Sequence, residues 1–326
     1  MKKVELGNTG QQISQMSLGC MLMGSQINQE SSYKLLDSYV QAGGSFLDTA
    51  NCYAWWVENG KGNDSELLLG QWMKARNNRQ DIFLATKIGA NPTDTKAAEK
   101  DFLNNIEGLS EKAILAAVDK SLNDLQTDYI DLLYIHIDDR SVPLQETMSA
   151  LNKLVDSGLV KHLGCSNMRP WRIEQARGIS RANHWAEFSC VQQSYTYLNP
   201  RRGSDMGINE YVDDDLLDYA KENKDLSIMA YSPLMGGYYT RPDKRETYWR
   251  KHLYENAGNE TRLQALSQVA GELGVSENQV VLAWLLQKEV PAIPVIAATQ
   301  VEHLQQNMAA GELTLSAEQV ALLENS

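Results

Sequence analysis

One feature constrains this chain more than any other: an alternation. Eight short apolar runs begin at Met16, Phe46, Ile82, Tyr129, Val160, Phe188, Leu226 and Ala292, and stretches with apolar residues at helical spacing separate them. Alternating strands and helices of this kind predict a parallel sheet with crossover helices. Eight such units in 326 residues match a closed barrel better than an open doubly wound sheet. No Pro/Gly-rich or low-complexity linker divides the chain. The expected fold is therefore α/β, a (β/α)8 TIM barrel forming a single domain over residues 1–326. Lys3 to Ser14, folded about Asn8-Thr9-Gly10, predicts a short N-terminal hairpin.

Local signals place the helices. Tyr33, Leu36 and Val40 mark a helix from Gln29 to Ala42, stopped by Gly43-Gly44. Others are expected at Ser65 to Ala75, Ser110 to Leu125, Glu210 to Asn223 and Thr261 to Leu273. Pro143 and Pro170 open two more. Ser276-x-x-Gln279 and Thr299-x-x-Glu302 read as capping boxes for the last two helices before the C-terminal piece. Gly89 to Gly108 reads as a polar insert. Long loops, Tyr195 to Asn209 and Leu234 to Glu260, follow strands 6 and 7.

Barrel chemistry sits at the carboxyl ends of the strands. Phe46-Leu47 ends in Asp48, with Tyr53 five residues on; the Ile82 run ends in Lys87; the Tyr129 run ends in His136. Singly, each has a bland explanation: a cap, a loop aromatic, a solvated strand end, a satisfied buried histidine. Jointly, at three successive strand ends, they predict a proton relay. Lys87 would lower the pKa of Tyr53, Asp48 would hold Lys87 charged, and His136 would orient a substrate oxygen. Such a relay suits a carbonyl becoming an alkoxide, and it needs a hydride source that these side chains lack.

Composition narrows the rest. A hydrophobic content of 43% supplies a large core, and a net charge of -12 argues against nucleic-acid and anionic-membrane partners. No apolar run approaches the ~18 residues of a membrane span. The start meets Gly7, Asn8 and Thr9 too early for a secretory leader, so a cytoplasmic location is expected. Cys20, Cys52, Cys165 and Cys190 form no C-x-x-C pair and read as small buried hydrophobes, with Cys52 the one to watch for oxidation. The histidines show no metal-ligand spacing, and no metal is expected.

Asp48-Thr49-Ala50-x-x-Tyr53, Thr86-Lys87, Tyr129 to His136 and Gly164-Cys165-Ser166-Asn167 together resemble the aldo-keto reductase family. So do Leu151-x-x-Leu154-Val155-x-x-Gly158-x-Val160-Lys161 and Ala230-Tyr231-Ser232-Pro233-Leu234-x-Gly236-Gly237. The resemblance runs over nearly the whole chain. It implies a barrel that binds a nicotinamide dinucleotide without a Rossmann domain, consistent with the lack of a G-x-G-x-x-G. It implies Tyr53 as general acid, tuned by Lys87 and Asp48, with His136 on the carbonyl. It further implies that Ser166, Asn167 and Gln192 hold the carboxamide and that Tyr231 stacks on the ring. Ser232, Leu234 and Gly236 would line the pyrophosphate. Ala297, Thr299, Gln300, His303 and Asn307 would surround the adenosine ribose.

The departures bear on cofactor choice. Ala54 and Ala297 stand where members usually have glycine, and Gln306 stands where they have an acid. Gln300 and His303 occupy the positions where members often place an arginine for the 2′-phosphate. The expectation is NADPH as cofactor with only modest preference, NADH being accepted. Substrate walls are expected from Met21, Met23, Trp55, Trp56, Met168 and the long loops, with Trp55-Trp56 suited to an aromatic or sugar carbonyl. Arg201, Arg202, Arg241, Lys244, Arg245, Arg250 and Lys251 form either a solvated surface or a phosphate-facing rim. The partner is a small carbonyl compound, and the chain is a monomer or small homo-oligomer. Two alternatives stand beside a reductase: a Schiff-base lyase using Lys87, and a nicotinamide-binding redox sensor without turnover.

Overall fold

The structure, a computed structural model, describes residues 1–326. Strands β1 (Lys3–Glu5) and β2 (Gln12–Ser14) form the antiparallel N-terminal hairpin. Eight further strands follow: β3 (Ser17–Gly19), β4 (Phe46–Asp48), β5 (Phe83–Ile88), β6 (Ile130–Ile135), β7 (Val160–Ser166), β8 (Phe188–Ser194), β9 (Ser227–Tyr231) and β10 (Ala292–Ile296). They pair in sequence order, and β10 closes on β3, giving an eight-stranded barrel. Every pairing in it is parallel. Both faces of such strands are covered, so they read as unbroken apolar runs, and this is why all eight stood out in the sequence.

Side chains alternate between the two faces of each strand. One set, including Leu47, Leu84, Leu133 and Ile135, faces the ring of helices in the main core. The other, including Phe46, Phe83, Leu132 and Met229, fills the barrel. Leu6 and Ile13 of the hairpin belong to that inner cluster and are fully buried, so the hairpin stoppers the amino end of the barrel. Tyr134 fills the interior so closely that a methyl group at Gly164 would come within 2.7 Å of its ring and 2.8 Å of Cys190 Sγ. Glycine at 164 is thus required by close packing across the barrel.

Several helices begin with the side-chain caps their sequences suggest. Ser110 accepts from the Ala113 amide, and Ser276 with Gln279 forms a complete capping box. Three expectations need correction. Thr299 does not cap the helix Val301–Ala309; Gln300 occupies the N-cap position and makes no side-chain cap bond. The helix expected from Glu210 begins at Asp214, because Tyr211 forms a bridge with Ser194 and Asp213 accepts from the Leu216 amide. The helix expected at Thr261 begins at Ala257, capped by Asn256. The connection after β9 also holds two short helices, Pro242–Thr247 and Lys251–Tyr254. No helix is long and apolar enough to cross a membrane.

Candidate active site

The period of two places the chemistry. Phe46 faces inward, so Asp48 does too; Phe83 and Ala85 put Lys87 on the inner face; Leu132 and Tyr134 put His136 there. Each polar residue is the last inward position of its strand or lies just past it, above the apolar fill. Tyr53 descends from the loop after β4.

Lys87 is at the centre. Its Nζ donates to Tyr53 Oη at 2.7 Å, to the Thr49 carbonyl at 2.8 Å, and to Asp48 Oδ1. An ammonium has three protons, and all three are used. Asp48 is equally committed: its other oxygen accepts from Gln192 Nε2 at 2.7 Å. Lys87, Asp48 and Gln192 are almost fully buried, so their pairing is desolvated and geometrically fixed. Because Tyr53 Oη accepts from Lys87, its own proton is free to point at a substrate.

The expected lowering of the Tyr53 pKa is not what the site produces. Burial, reinforced by the Asp48 carboxylate, pushes it well above the ordinary value. Desolvation of the phenolate outweighs the neighbouring ammonium. Tyr53 therefore holds its proton, as a proton donor must. His136 is pushed down to about 3 by burial and by Lys87, and so is neutral. Its ring stands edge-on to Tyr53 with centroids 5.7 Å apart, and its Nδ1 lies 3.4 Å from Cys52 Sγ.

Beside these four, the strand ends assemble a second group. Asn167 has a left-handed backbone, φ 51°, which turns the chain sharply after β7. Its Nδ2 donates to the His136 carbonyl at 3.0 Å and to Ser166 Oγ at 3.1 Å. Its Oδ1 accepts from the Glu210 amide and lies 2.9 Å from the Tyr231 hydroxyl, which also meets Asn209 Oδ1. Ser166, Asn167, Gln192 and Tyr231 thus surround one side of the mouth. Ser232, Met235, Gly236 and Gly237 all have positive φ. In that turn the Met235 and Gly237 amides are bonded within the loop, whereas those of Leu234 and Gly236 have no protein acceptor. Two free amides in a left-handed turn suit an anionic oxygen, so the residues present fit a dinucleotide diphosphate. A cleft of about 360 Å3 adjoins them, lined by Tyr231, Ser232, Gly236, Lys244, Trp249 and Arg250 among others.

Ala297, Thr299, Gln300 and His303 are exposed around the start of the last barrel helix. Asn307 is buried beside them, and its Nδ2 donates to the Ala297 carbonyl at 3.4 Å. Most of the basic residues in the long loops are already engaged. Arg241 pairs with Asp243, Lys251 with Glu246, and Arg245 and Arg250 donate to backbone carbonyls. Lys244 and Arg250 both line the cleft beside Gly236, and of the two Arg250 is committed to the Met206 carbonyl.

The residues expected to wall the substrate side fall into two groups. Met21 and Trp56 are exposed, and Trp55 is half-buried beside Tyr53. Met23 and Met168 are corrections: both are buried in the main core and offer no surface to a substrate. Phe102 was missed. It stacks on Trp55 with centroids 5.9 Å apart and planes 8° from parallel, and it belongs with Cys52, Tyr53 and Ile106 in one small cluster. Its only signal was being the sole aromatic residue of the polar insert. The Gln192–Asp48 and Cys52–His136 contacts also escaped sequence reading, since neither pair is linked by spacing.

A closed (β/α)8 barrel with tyrosine, lysine, aspartate and histidine converging at its carboxyl mouth defines a class, the single-domain barrel oxidoreductases. Comparison with known proteins is specific on the point. The model of the Aldo/keto reductase family matches residues 15–326, and the chain belongs to that family. Norsolorinic acid reductase B of Aspergillus parasiticus is 32% identical, over 96% of this chain and 81% of the relative. Aryl-alcohol dehydrogenase GME11368 of Pestalotiopsis microspora is 30% identical, over 96% of this chain and 78% of the relative. The crystal structure of a thermostable aldo-keto reductase, Tm1743, bound to the inhibitor epalrestat, superposes with a TM-score of 0.74 at 29% identity, covering 100% of this chain and 99% of that one. Nicotinamide-dependent oxidoreduction of carbonyls is the chemistry of the family.

Proposed function

We propose that this chain reduces an aldehyde or ketone to an alcohol with NADPH, and that its substrates carry an aromatic ring. The carrying observation is the 2.7 Å bond from Lys87 Nζ to Tyr53 Oη, which leaves a neutral phenol with its proton directed outward. The nicotinamide, when bound, supplies the hydride. Gln192, Ser166 and Asn167 would hold its carboxamide, Tyr231 its face, and the Leu234 and Gly236 amides with Lys244 its diphosphate. Tyr53 gives the proton to the developing alkoxide. His136, neutral, donates a second hydrogen bond to the same oxygen, and buried donors aimed at developing charge are strong contributors.

The aromatic preference rests on the Trp55–Phe102 wall beside Tyr53. The name of one relative, an aryl-alcohol dehydrogenase, agrees with it. A Schiff-base role for Lys87 is disfavoured: a buried ammonium bonded to three acceptors has no lone pair to offer a carbonyl. A sensor without turnover would not require the proton relay to be complete.

The test is NADPH absorbance on a panel of aryl, aliphatic and sugar carbonyls, run with wild type and Tyr53→Phe. Aryl substrates should give the highest kcat/KM. Tyr53→Phe should lower kcat about a thousandfold, within the usual reach of general acid catalysis, and leave cofactor affinity unchanged. Near wild-type kcat in this variant would remove Tyr53 as the donor.

A further inference from the structure

We propose that Cys52 is a positioning residue that fixes the tautomer of His136, directing its Nε2–H at the substrate oxygen. The inference rests on the reductase reading and adds a residue to it. A neutral imidazole has one N–H and one bare nitrogen, and the partner of one nitrogen decides which is which. His136 Nδ1 has a single protein partner, the Cys52 thiol at 3.4 Å, and Nε2 has none. The two possible arrangements are S–H donating to Nδ1, or Nδ1–H donating to sulfur. Imidazole nitrogen is a good acceptor and thiol sulfur a poor one, so the first is favoured. Cys52 is in no position to offer a thiolate instead. It is buried among Ala50, Ala90 and Ile137, and burial together with the Glu107 carboxylate pushes its thiol far up.

The geometry around the pair supports this division. The backbone of His136 is held at both ends: its amide donates to the Ile88 carbonyl at 2.8 Å, and its carbonyl accepts from Asn167. Cys52 is adjacent in sequence to Tyr53, whose ring meets the His136 ring edge-on. The imidazole is therefore placed by backbone and by Tyr53, and the thiol contributes the choice of tautomer. With Nδ1 occupied as acceptor, the proton resides on Nε2, the nitrogen left for the substrate. The opposite tautomer would turn a lone pair toward the carbonyl oxygen and repel it.

Two measurements on the full-length protein with NADP+ bound decide the matter. Long-range 1H–15N correlation of the histidine rings, with His136 assigned by its loss in His136→Asn, reports the tautomer directly and independently of turnover. Wild type should show the Nε2–H form. Cys52→Ser, whose hydroxyl still donates, should keep it, and Cys52→Ala should show mixed tautomers. In parallel, Cys52→Ala should lose about fivefold in kcat, the scale of one weak hydrogen bond, with cofactor KM unchanged and Cys52→Ser restoring most of the loss. An Nδ1–H tautomer in wild type would overturn the proposal even if Cys52→Ala failed to fold. So would an unmixed Nε2–H form in Cys52→Ala. If the tautomer behaves as stated and no carbonyl is turned over, the reductase reading fails and the tautomer assignment survives.

Discussion

Glu66, on the helix Asp64–Arg76, is fully buried against the strand that carries Lys87. Its Oε1 accepts from Thr86 Oγ1 at 2.6 Å, and its Oε2 has no partner. A carboxylate half-satisfied and out of water is costly, and burial pushes Glu66 from its ordinary 4.5 up to about 7. The native state then keeps a proton that the unfolded chain has released, so stability from this group is full below pH 4.5 and is lost as pH rises through 7. A shift of that size is worth about 3 kcal/mol. His136 has the opposite sign. Its pKa is lowered from 6.5 to about 3, so stability from it is present above pH 6.5 and lost as pH falls toward 3. Glu66→Gln removes one of these and keeps the other. Its urea midpoint should gain on wild type as pH is raised from 4.5 to 8, and a constant difference across that range would show that Glu66 does not titrate there.

At the scale of elements, strands were the most legible part of the sequence and helix starts the least. A strand buried on both faces announces itself as an apolar run, and the alternation along it put Asp48, Lys87 and His136 on one side. The Thr299 cap failed because a capping pattern states a possibility, and here the backbone enters the helix one residue later. Met23 and Met168 look in sequence like any loop methionine; only the packing of the surrounding helices buries them. Phe102 and the helices Pro242–Thr247 and Lys251–Tyr254 were invisible because segments of a turn or two carry too little periodicity. The correction at Gln300 also sharpens the view of cofactor choice. No side chain caps the helix Val301–Ala309, so its first amides remain available to an anion, while Gln300 adds no charge. Wild type should therefore prefer NADPH to NADH only modestly. Gln300→Arg should raise the ratio of their kcat/KM values about tenfold, the scale of one charge-assisted bond. If wild type already discriminates several hundredfold and the variant adds nothing, Lys244 in the adjoining cleft is the base that reads the 2′-phosphate.

Across the whole molecule, eight large apolar side chains are exposed: Leu115 and Trp171 lie on helices, Leu159 precedes β7, and the other five share one end. Met21, Trp56, Leu103, Ile208 and Trp249 lie in the loops after β3, β4, β5, β8 and β9, all at the carboxyl end of the barrel. An apolar rim of this kind fits a bulky, poorly hydrated substrate. The opposite end is closed by Leu6 and Ile13 of the hairpin. A vessel with a stoppered floor has one door, and everything must queue for it. The groups proposed to hold the nicotinamide, Gln192 and Ser166, belong to the strands, whereas Tyr53, Trp55 and Phe102 stand above them in loops. On the proposed assignment of these residues, the dinucleotide should enter before the carbonyl compound and depart after the alcohol. Kinetically, NADP+ should inhibit competitively against NADPH at every carbonyl concentration, while the alcohol should be noncompetitive against NADPH. Competition between the alcohol and NADPH for the free enzyme would mean that the order of entry is not imposed by the floor.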